Sequence, residues 1–196
     1  MIIRLPYGDT LWEEDLPDLE NAFVLKPPEK LDPIPDLAQA VGQALESPVD
    51  SHRLRDLLEP NDRVVVIISD ATRPSPSRFF MDGIVRELER AGVPFQNVTI
   101  VVGTGTHRPS TPEELVAMLG EEHLARFKVV NHNCRDSSGL LYLGDTKRGV
   151  PVWINRIVAQ ATFRIATGAI TPHHATGYSG GRKAILPGVA GELSVR

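Results

Sequence analysis

Apolar residues in this chain fall into two kinds of run, and their alternation predicts an α/β fold. Arg63–Ser69 (RVVVIIS) and Gln96–Val102 (QNVTIVV) are near-continuous β-branched runs, the pattern of strands covered on both faces. Between them Arg78–Gly92 (RFFMDGIVRELERAG) has the spacing of an amphipathic helix that stops at a glycine. Strand, loop, helix and strand in that order form a parallel crossover. A second round follows. Thr111–Leu119 (TPEELVAML) opens with threonine, then proline at the first helical position and acids in the first turn, so it predicts a helix. Phe127–Asn131 reads as a strand, His132–Gly144 as a polar turn or irregular region, and Gly149–Ile154 as extended chain. Asn155–Ala161 reads as a short helix and Phe163–Thr167 as a strand. The sum is an α/β protein with an open, mostly parallel sheet and helices on both faces.

The stretch before Arg63 is less regular. Met1–Leu5 alternates weakly, as a short strand with Tyr7-Gly8-Asp9 for its turn, and Phe23–Leu25 reads as another brief strand. Lys26–Pro35 holds four prolines in ten residues, which predicts an extended connector. Asp36–Glu46 sets Leu37, Ala40, Val41 and Ala44 along one face behind an N-capping aspartate. Ser47–Pro60 carries a second short helical pattern through Leu54, Leu57 and Leu58.

Composition narrows the function classes. With 196 residues, 41% of them hydrophobic, the chain can fill one good-sized core or equally one domain plus part of another, and residues 1–196 read as one incomplete α/β domain. The net charge of -4 comes from 21 basic and 25 acidic residues, interspersed without a basic face, which argues against a nucleic-acid surface. Cys134 is the one cysteine and has no internal disulfide partner, which fits a reducing compartment. A bystander role suits it better than metal binding, because no second cysteine completes a metal pattern. No apolar stretch is long enough to span a bilayer, and the N-terminus lacks the layout of a signal peptide. A cytoplasmic protein without a membrane partner is the expectation.

Candidate chemistry sits in three polar segments: Ser69–Pro74 (SDATRP), Gly103–Ser110 (GTGTHRPS) and Ile170–Gly188 (ITPHHATGYSGGRKAILPG). In open parallel sheets, ligands bind beyond the C-terminal ends of the strands. Asp70, His107 and His173 each follow a predicted strand there. Asp70 and Arg73 are expected to brace each other, either as a purely structural pair or leaving Arg73 to grip a carboxylate or phosphate. Gly103 and Gly105 permit a tight turn with exposed amides suited to an anion, although neither a P-loop nor the dinucleotide fingerprint is complete. His107 reads as a general base or, more plainly, as a histidine at a helix start. His173 and His174 are adjacent, so in extended chain they point in different directions and one faces the site. Without a third ligand they make a poor metal centre. Gly180 and Gly181 allow close backbone approach. Lys183 is a phosphate contact, a Schiff-base amine, another covalent anchor or a solvated surface lysine. Tyr178 reads as loop packing, Trp12 and Trp153 as packing anchors, and His52 and His123 as surface residues. His132 stays ambiguous among Asn131, Asn133 and Cys134.

Together the motifs SDATRP, GTGTHRPS and TPHHATGYSGGRKAILPG resemble the N-terminal domain of the nickel-dependent lactate racemase family, over roughly Asp62 to Gly191. The resemblance implies a two-domain enzyme that racemises or epimerises a 2-hydroxy acid, lactate foremost. Its cofactor would be a nickel-pincer nucleotide, a pyridinium-derived mononucleotide with thiocarboxyl groups, attached through a thioamide at Lys183. His107 and His173 resemble the two catalytic histidines on opposite faces of the substrate carbon. Arg73 resembles the arginine that holds the substrate carboxylate, with Asp70 in support. Gly103 and Gly105, before His107, fall to the cofactor phosphate, and Gly180 and Gly181 also to the cofactor. Proton-coupled hydride transfer suits this substrate class, because the Cα hydrogen beside a carboxylate is hardly acidic. The family's nickel-ligating histidine lies beyond the Gly-Gly-Arg-Lys motif, and Ala184–Arg196 holds no histidine. The expectation is therefore a chain that stops short of that ligand and of the second domain, and is inactive alone. Enzymes that build the cofactor and insert nickel would be its partners. Two alternatives stand beside this one: the same cofactor acting on malate or a sugar acid, and a non-catalytic nucleotide-binding α/β module.

Overall fold

Val64, Val66 and Ile68 alternate with Val65 and Ile67 along one strand, and the two sets build two separate cores. That is the two-residue period of a strand covered on both sides. The structure is a computed structural model that describes residues 2–16, 32–73, 75–174 and 176–196. The chain divides into two compact units, Met1–Ile34 and Pro35–Arg196. In the first, β1 (Ile2–Tyr7) and β2 (Thr10–Asp15) form an antiparallel hairpin, with Leu5 opposite Trp12 and the Trp12 ring edge-on to Tyr7 at 6.0 Å. Gly8, at φ +59°, makes the turn. The strand expected at Met1–Leu5 thus runs to Tyr7 and has a partner. The strand expected at Phe23–Leu25, and the connector up to residue 31, lie outside the described residues.

The second unit runs α1 (Leu37–Glu46), α2 (Leu54–Leu57), β3 (Val64–Ser69), α3 (Ser77–Arg90), β4 (Val98–Gly103), α4 (Pro112–Arg126) and β5 (Lys128–Asn131). It continues with β6 (Leu140–Asp145), β7 (Pro151–Asn155), α5 (Arg156–Gln160), β8 (Phe163–Ala166), β9 (Pro172–His173), β10 (Gly177–Tyr178) and α6 (Glu192–Val195). The main sheet has the order β5-β4-β3-β8, with every pair parallel. On one face Met81, Ile84, Val85 and Leu88 of α3 and Leu119 of α4 pack against Val64, Val66, Ile68, Ile100 and Val102. Each such burial contributes on the order of 1.5–3 kcal/mol, so this face holds the unit together. The bare Cα of Gly83 lets Val41 and Leu45 of α1 lie on α3. The opposite face, with Val65, Ile67 and Val101, is covered by Ile154, Val158, Val189 and Ala190. Helices therefore flank the sheet, but here the cover is short α5, the β6–β7 hairpin and the chain after Pro187.

Several local expectations change. Asp36 caps α1 as read, its Oδ1 accepting from Gln39 N at 2.8 Å. The Thr111–Glu114 capping box forms, and after it α4 extends to Arg126 across a break at Gly120 (φ +76°, ψ 156°). That extension buries His123, read as a surface residue: it is 3% exposed, with Nε2 2.7 Å from Asp82 Oδ1. Beyond the helix-stopping Gly120, the sequence pattern alone does not bring the residue back to the core. The polar region expected at His132–Gly144 ends in β6, whose apolar run Leu140–Leu143 follows a stretch of serines and glycine. Glu192–Val195 form one helical turn, α6.

Candidate active site

Because β3 lies between β4 and β8, the loops that leave their C-terminal ends face one another. They enclose a cleft of about 580 Å³ lined by Asp70, Arg73, Gly103, Gly105, His107, His173, Gly180 and Lys183, among others. Of the nine residues the sequence pointed to, only Gly181 is not in this wall.

After β3 the chain turns tightly around Asp70, which is 5% exposed. Its Oδ1 accepts from the backbone N–H of Thr72 at 2.7 Å and from the Thr72 hydroxyl at 2.6 Å. Its Oδ2 lies 2.9 Å from His107 Nδ1. A carboxylate only accepts, so the shared proton belongs to the Nδ1 of the ring. The expected Asp70–Arg73 brace does not form: the Arg73 guanidinium donates to Thr72 O at 3.2 Å and to Thr72 Oγ1 at 3.3 Å. Asp70 is committed to Thr72 and His107 instead. Thr72 was missed, although an Asp two residues before a Thr is the spacing of a side-chain-closed turn.

The loop after β4 is pinned at several points. Gly105, at φ +56°, donates its N–H to Gly188 O at 2.9 Å, and a Cβ there would meet Pro187. Thr104 Oγ1 donates to His132 O at 2.8 Å, and Asn131 exchanges two 3.0 Å bonds with the backbone of Ser110. The Gly105 amide is thus engaged by backbone rather than exposed to an anion, and a Cβ on Gly103 would lie in ordinary contact, at 3.4 Å, with the Gly188 and Ile68 carbonyls. These glycines admit the 187–188 segment. The helix-start reading of His107 also falls, since Thr111 and Glu114 make the cap.

Beyond β8, Ser179 Oγ donates to Ala169 O and accepts from Thr171 N, both at 2.8 Å, closing the loop that holds β9 and β10. His173 lines the cleft and His174 does not, but their rings do not diverge: they stack 4.8 Å apart at 13°. The chain leaves extended geometry at His174, so the alternation argument fails there. His173 Nδ1 accepts from Thr176 N at 3.4 Å. Partial burial, and then the charges of Lys183, His174 and Arg73, hold its pKa below the ordinary histidine value. Gly180 (φ +74°) and Gly181 (φ +51°) open the 3₁₀ turn Gly181–Ala184, which presents Lys183 to the cleft. A side chain on Gly180 would press on Ile170 and Ala169. Among the described residues, no three of His, Cys, Asp and Glu converge as metal ligands. No helix among them is long and apolar enough to cross a membrane.

Fold and site together define a class: an open parallel α/β domain whose strand-end cleft joins two imidazoles, a carboxylate, an arginine and a lysine. The sequence model of the lactate racemase N-terminal domain matches residues 7–196. The chain belongs to the lactate racemase family, in its N-terminal domain. It is 35% identical over 190 residues to the lactate racemase of Thermoanaerobacterium thermosaccharolyticum, covering 96% of this chain and 44% of that protein. It is 38% identical over 152 residues to the lactate racemase of Lactiplantibacillus plantarum, covering 78% of this chain and 36% of the relative. The structure of the Thermoanaerobacterium apoprotein superimposes with a TM-score of 0.81 at 34% identity, covering all of this chain and 45% of the other. The chain therefore spans less than half the length of the relatives it matches.

Proposed function

We propose that the protein containing this domain interconverts the enantiomers of a 2-hydroxy acid, lactate foremost, with His107 and His173 as the two proton-transfer groups. The observation that carries the proposal is their presence in one cleft wall with Arg73 and Lys183, His107 being oriented by buried Asp70. Arg73, in the cleft wall, is the partner for the substrate carboxylate in this reading, bidentately once it leaves Thr72. His107, with Nδ1–H given to Asp70, keeps the Nε2 lone pair for the hydroxyl proton of one enantiomer. The Asp70 carboxylate then stabilises the imidazolium that results. His173 then returns a proton to the oxygen of the other enantiomer, and in the reverse direction it takes that proton while His107 returns one.

The nickel-pincer nucleotide is a group these residues fit. The cleft volume lies within the range of small-ligand sites, and Lys183 sits in its wall as the amine for a thioamide. Arg73 and Lys183 give it a cationic side suited to an anionic nucleotide. When bound, the group supplies the acceptor for the Cα hydrogen with its electron pair, chemistry that no side chain here offers. The fixed 3₁₀ turn orients Lys183, and the histidines move only the hydroxyl proton.

The test uses the full-length protein, expressed with the enzymes that supply the cofactor. One lactate enantiomer should be converted to the racemate, and the Lys183 peptide should carry a nucleotide adduct by mass spectrometry. His107→Ala and His173→Ala should each abolish conversion while retaining the adduct. Full conversion by the double variant overturns the assignment.

A further inference from the structure

The turn after β3 is closed by its backbone. Arg73 N donates to Asp70 O at 3.0 Å, and Thr72 N donates to Asp70 Oδ1 at 2.7 Å. Neither bond uses the Thr72 hydroxyl, and Thr72 is exposed, so the turn keeps both bonds without that group. The hydroxyl nevertheless meets three side chains of the cleft. It donates its one proton to Asp70 Oδ1 at 2.6 Å, within the short range of an O–H bonded to a carboxylate. Its lone pairs face His107 Nδ1 at 3.2 Å and Arg73 Nη1 at 3.3 Å. Asp70, Arg73 and His107 line the cleft, whereas Thr72 does not.

We propose that Thr72 is a positioning residue for the proton transfer at His107. The terminal torsion of an aspartate is soft, so a carboxylate held by one donor can rotate. Two donors on the same oxygen, the Thr72 amide and hydroxyl, fix Oδ1 of Asp70. They thereby aim Oδ2 at His107 Nδ1, 2.9 Å away. Thr72 is β-branched, so its own χ1 is stiff and the hydroxyl keeps its place. The Nδ1 proton, bonded to Oδ2, has Thr72 Oγ1 as a second acceptor, which holds the ring against the carboxylate.

The same hydroxyl is where the arginine rests. Arg73 Nη1 is shared between Thr72 O at 3.2 Å and Thr72 Oγ1 at 3.3 Å. The consequence rests on the two-histidine reading above. When a substrate carboxylate draws Arg73 away, the lone pair it occupied is released, and His107 Nδ1–H is the donor that stays beside the hydroxyl. Carboxylate capture at Arg73 thus tightens the seat of His107 as the ring gains its second proton. Losing the hydroxyl withdraws this support from the chemical step and leaves Arg73 free for the carboxylate. It therefore lowers kcat without raising KM.

The experiment is Thr72→Val in the full-length protein, a change that keeps the side-chain shape and the Thr72 amide. In the loaded enzyme kcat should fall by about ten- to a hundred-fold, the effect of one hydrogen bond to a charged group, with KM not raised. Thr72→Ser restores the hydroxyl and should recover most of that loss. In an Asp70→Asn background, Thr72→Val should lower kcat by no more than about two-fold further, because the charge it orients is already gone. A turn merely loosened would raise KM, and its effect would add to that of Asp70→Asn. A second readout needs no turnover. In histidine-labelled protein free of cofactor, with His107→Gln assigning the signal, ¹H–¹⁵N NMR should show His107 Nδ1–H exchanging with water at least about ten-fold faster in Thr72→Val than in the unsubstituted protein. Unchanged exchange overturns the inference, and so, in an active racemase, does an unchanged kcat, a raised KM or an additive loss. Faster exchange in a protein without racemase activity would sink the functional reading alone, and unchanged exchange and kcat in an active racemase would sink this inference alone.

Discussion

Asp70 Oδ1 is occupied by two donors from Thr72, and Oδ2 faces His107. Its work is to fix which nitrogen of His107 carries the proton. Asp70→Asn in the full-length protein is therefore expected to lower kcat by about 10²–10⁴, with little change in KM. Chiral chromatography of the product measures that loss, and an unchanged kcat would refute the positioning role. Asp70, His107, Arg73, His173 and Lys183 were legible in the sequence because charged and imidazole groups beside glycines and prolines have few structural uses. Their pairing was not legible. Asp70 chose His107, 37 positions away, over nearby Arg73, since only the fold brings the β3 and β4 loops together.

At the scale of elements, the turn from Gly181 to Gly188 carries Lys183 and leans on the β4 loop. Gly188 donates to Lys183 O at 3.0 Å and accepts from Gly105 N at 2.9 Å. A Cβ at Gly188 would overlap the Ala184 carbonyl and crowd Lys183 O. Gly188→Ala is expected to cost about 1–3 kcal/mol by overpacking and to reduce lysine modification, measured by urea unfolding and peptide mass. Farther from the site, Glu87 of α3 is 2% exposed and bonded by Arg55 at 3.0 Å and Arg90 at 2.8 Å, and both arginines reach Glu46 of α1. Glu87→Gln keeps the shape and removes the charge. It should lower stability by about 1–3 kcal/mol, seen as a lower urea midpoint with the slope unchanged. The core face of α3 was readable from its periodicity. This charged contact was not, because glutamate at that position reads as solvent-facing.

For the whole second unit, His132 ties the end of β5 to the segments that cover one face of the sheet. It is 2% exposed, its Nε2–H donates to Ala190 O at 2.9 Å, and its Nδ1 accepts from Asn155 Nδ2 at 3.2 Å. Asn155 cannot turn over to receive a second ring proton, because its Oδ1 caps α5 at Ile157 N and Val158 N. Burial holds the His132 pKa below its ordinary 6.5. As pH falls, the unfolded chain takes the proton first. The contribution of His132 is therefore complete above about pH 6.5 and is lost below it, until the folded ring itself titrates. The slope is at most about 1.4 kcal/mol per pH unit. Urea unfolding at a series of pH values from 7.5 downward should show this loss, and His132→Gln should flatten it while being less stable at pH 7.5. An equal slope in the variant would refute the role of the ring.

By itself the sequence determined the parallel α/β framework, because β-branched runs and an amphipathic helix have few ways to bury their apolar faces, and it located the three loops that hold the chemistry. The motifs also determined the family. Tertiary structure decided what those loops do for one another. It set Asp70 under His107, seated Gly105 against Gly188, stacked His174 on His173 and buried His123 and His132. These are contacts between residues remote in sequence or at a bend in the backbone. Local periodicity carries no information about them, since hydrogen-bond partners are selected by the packing of strands and not by spacing along the chain.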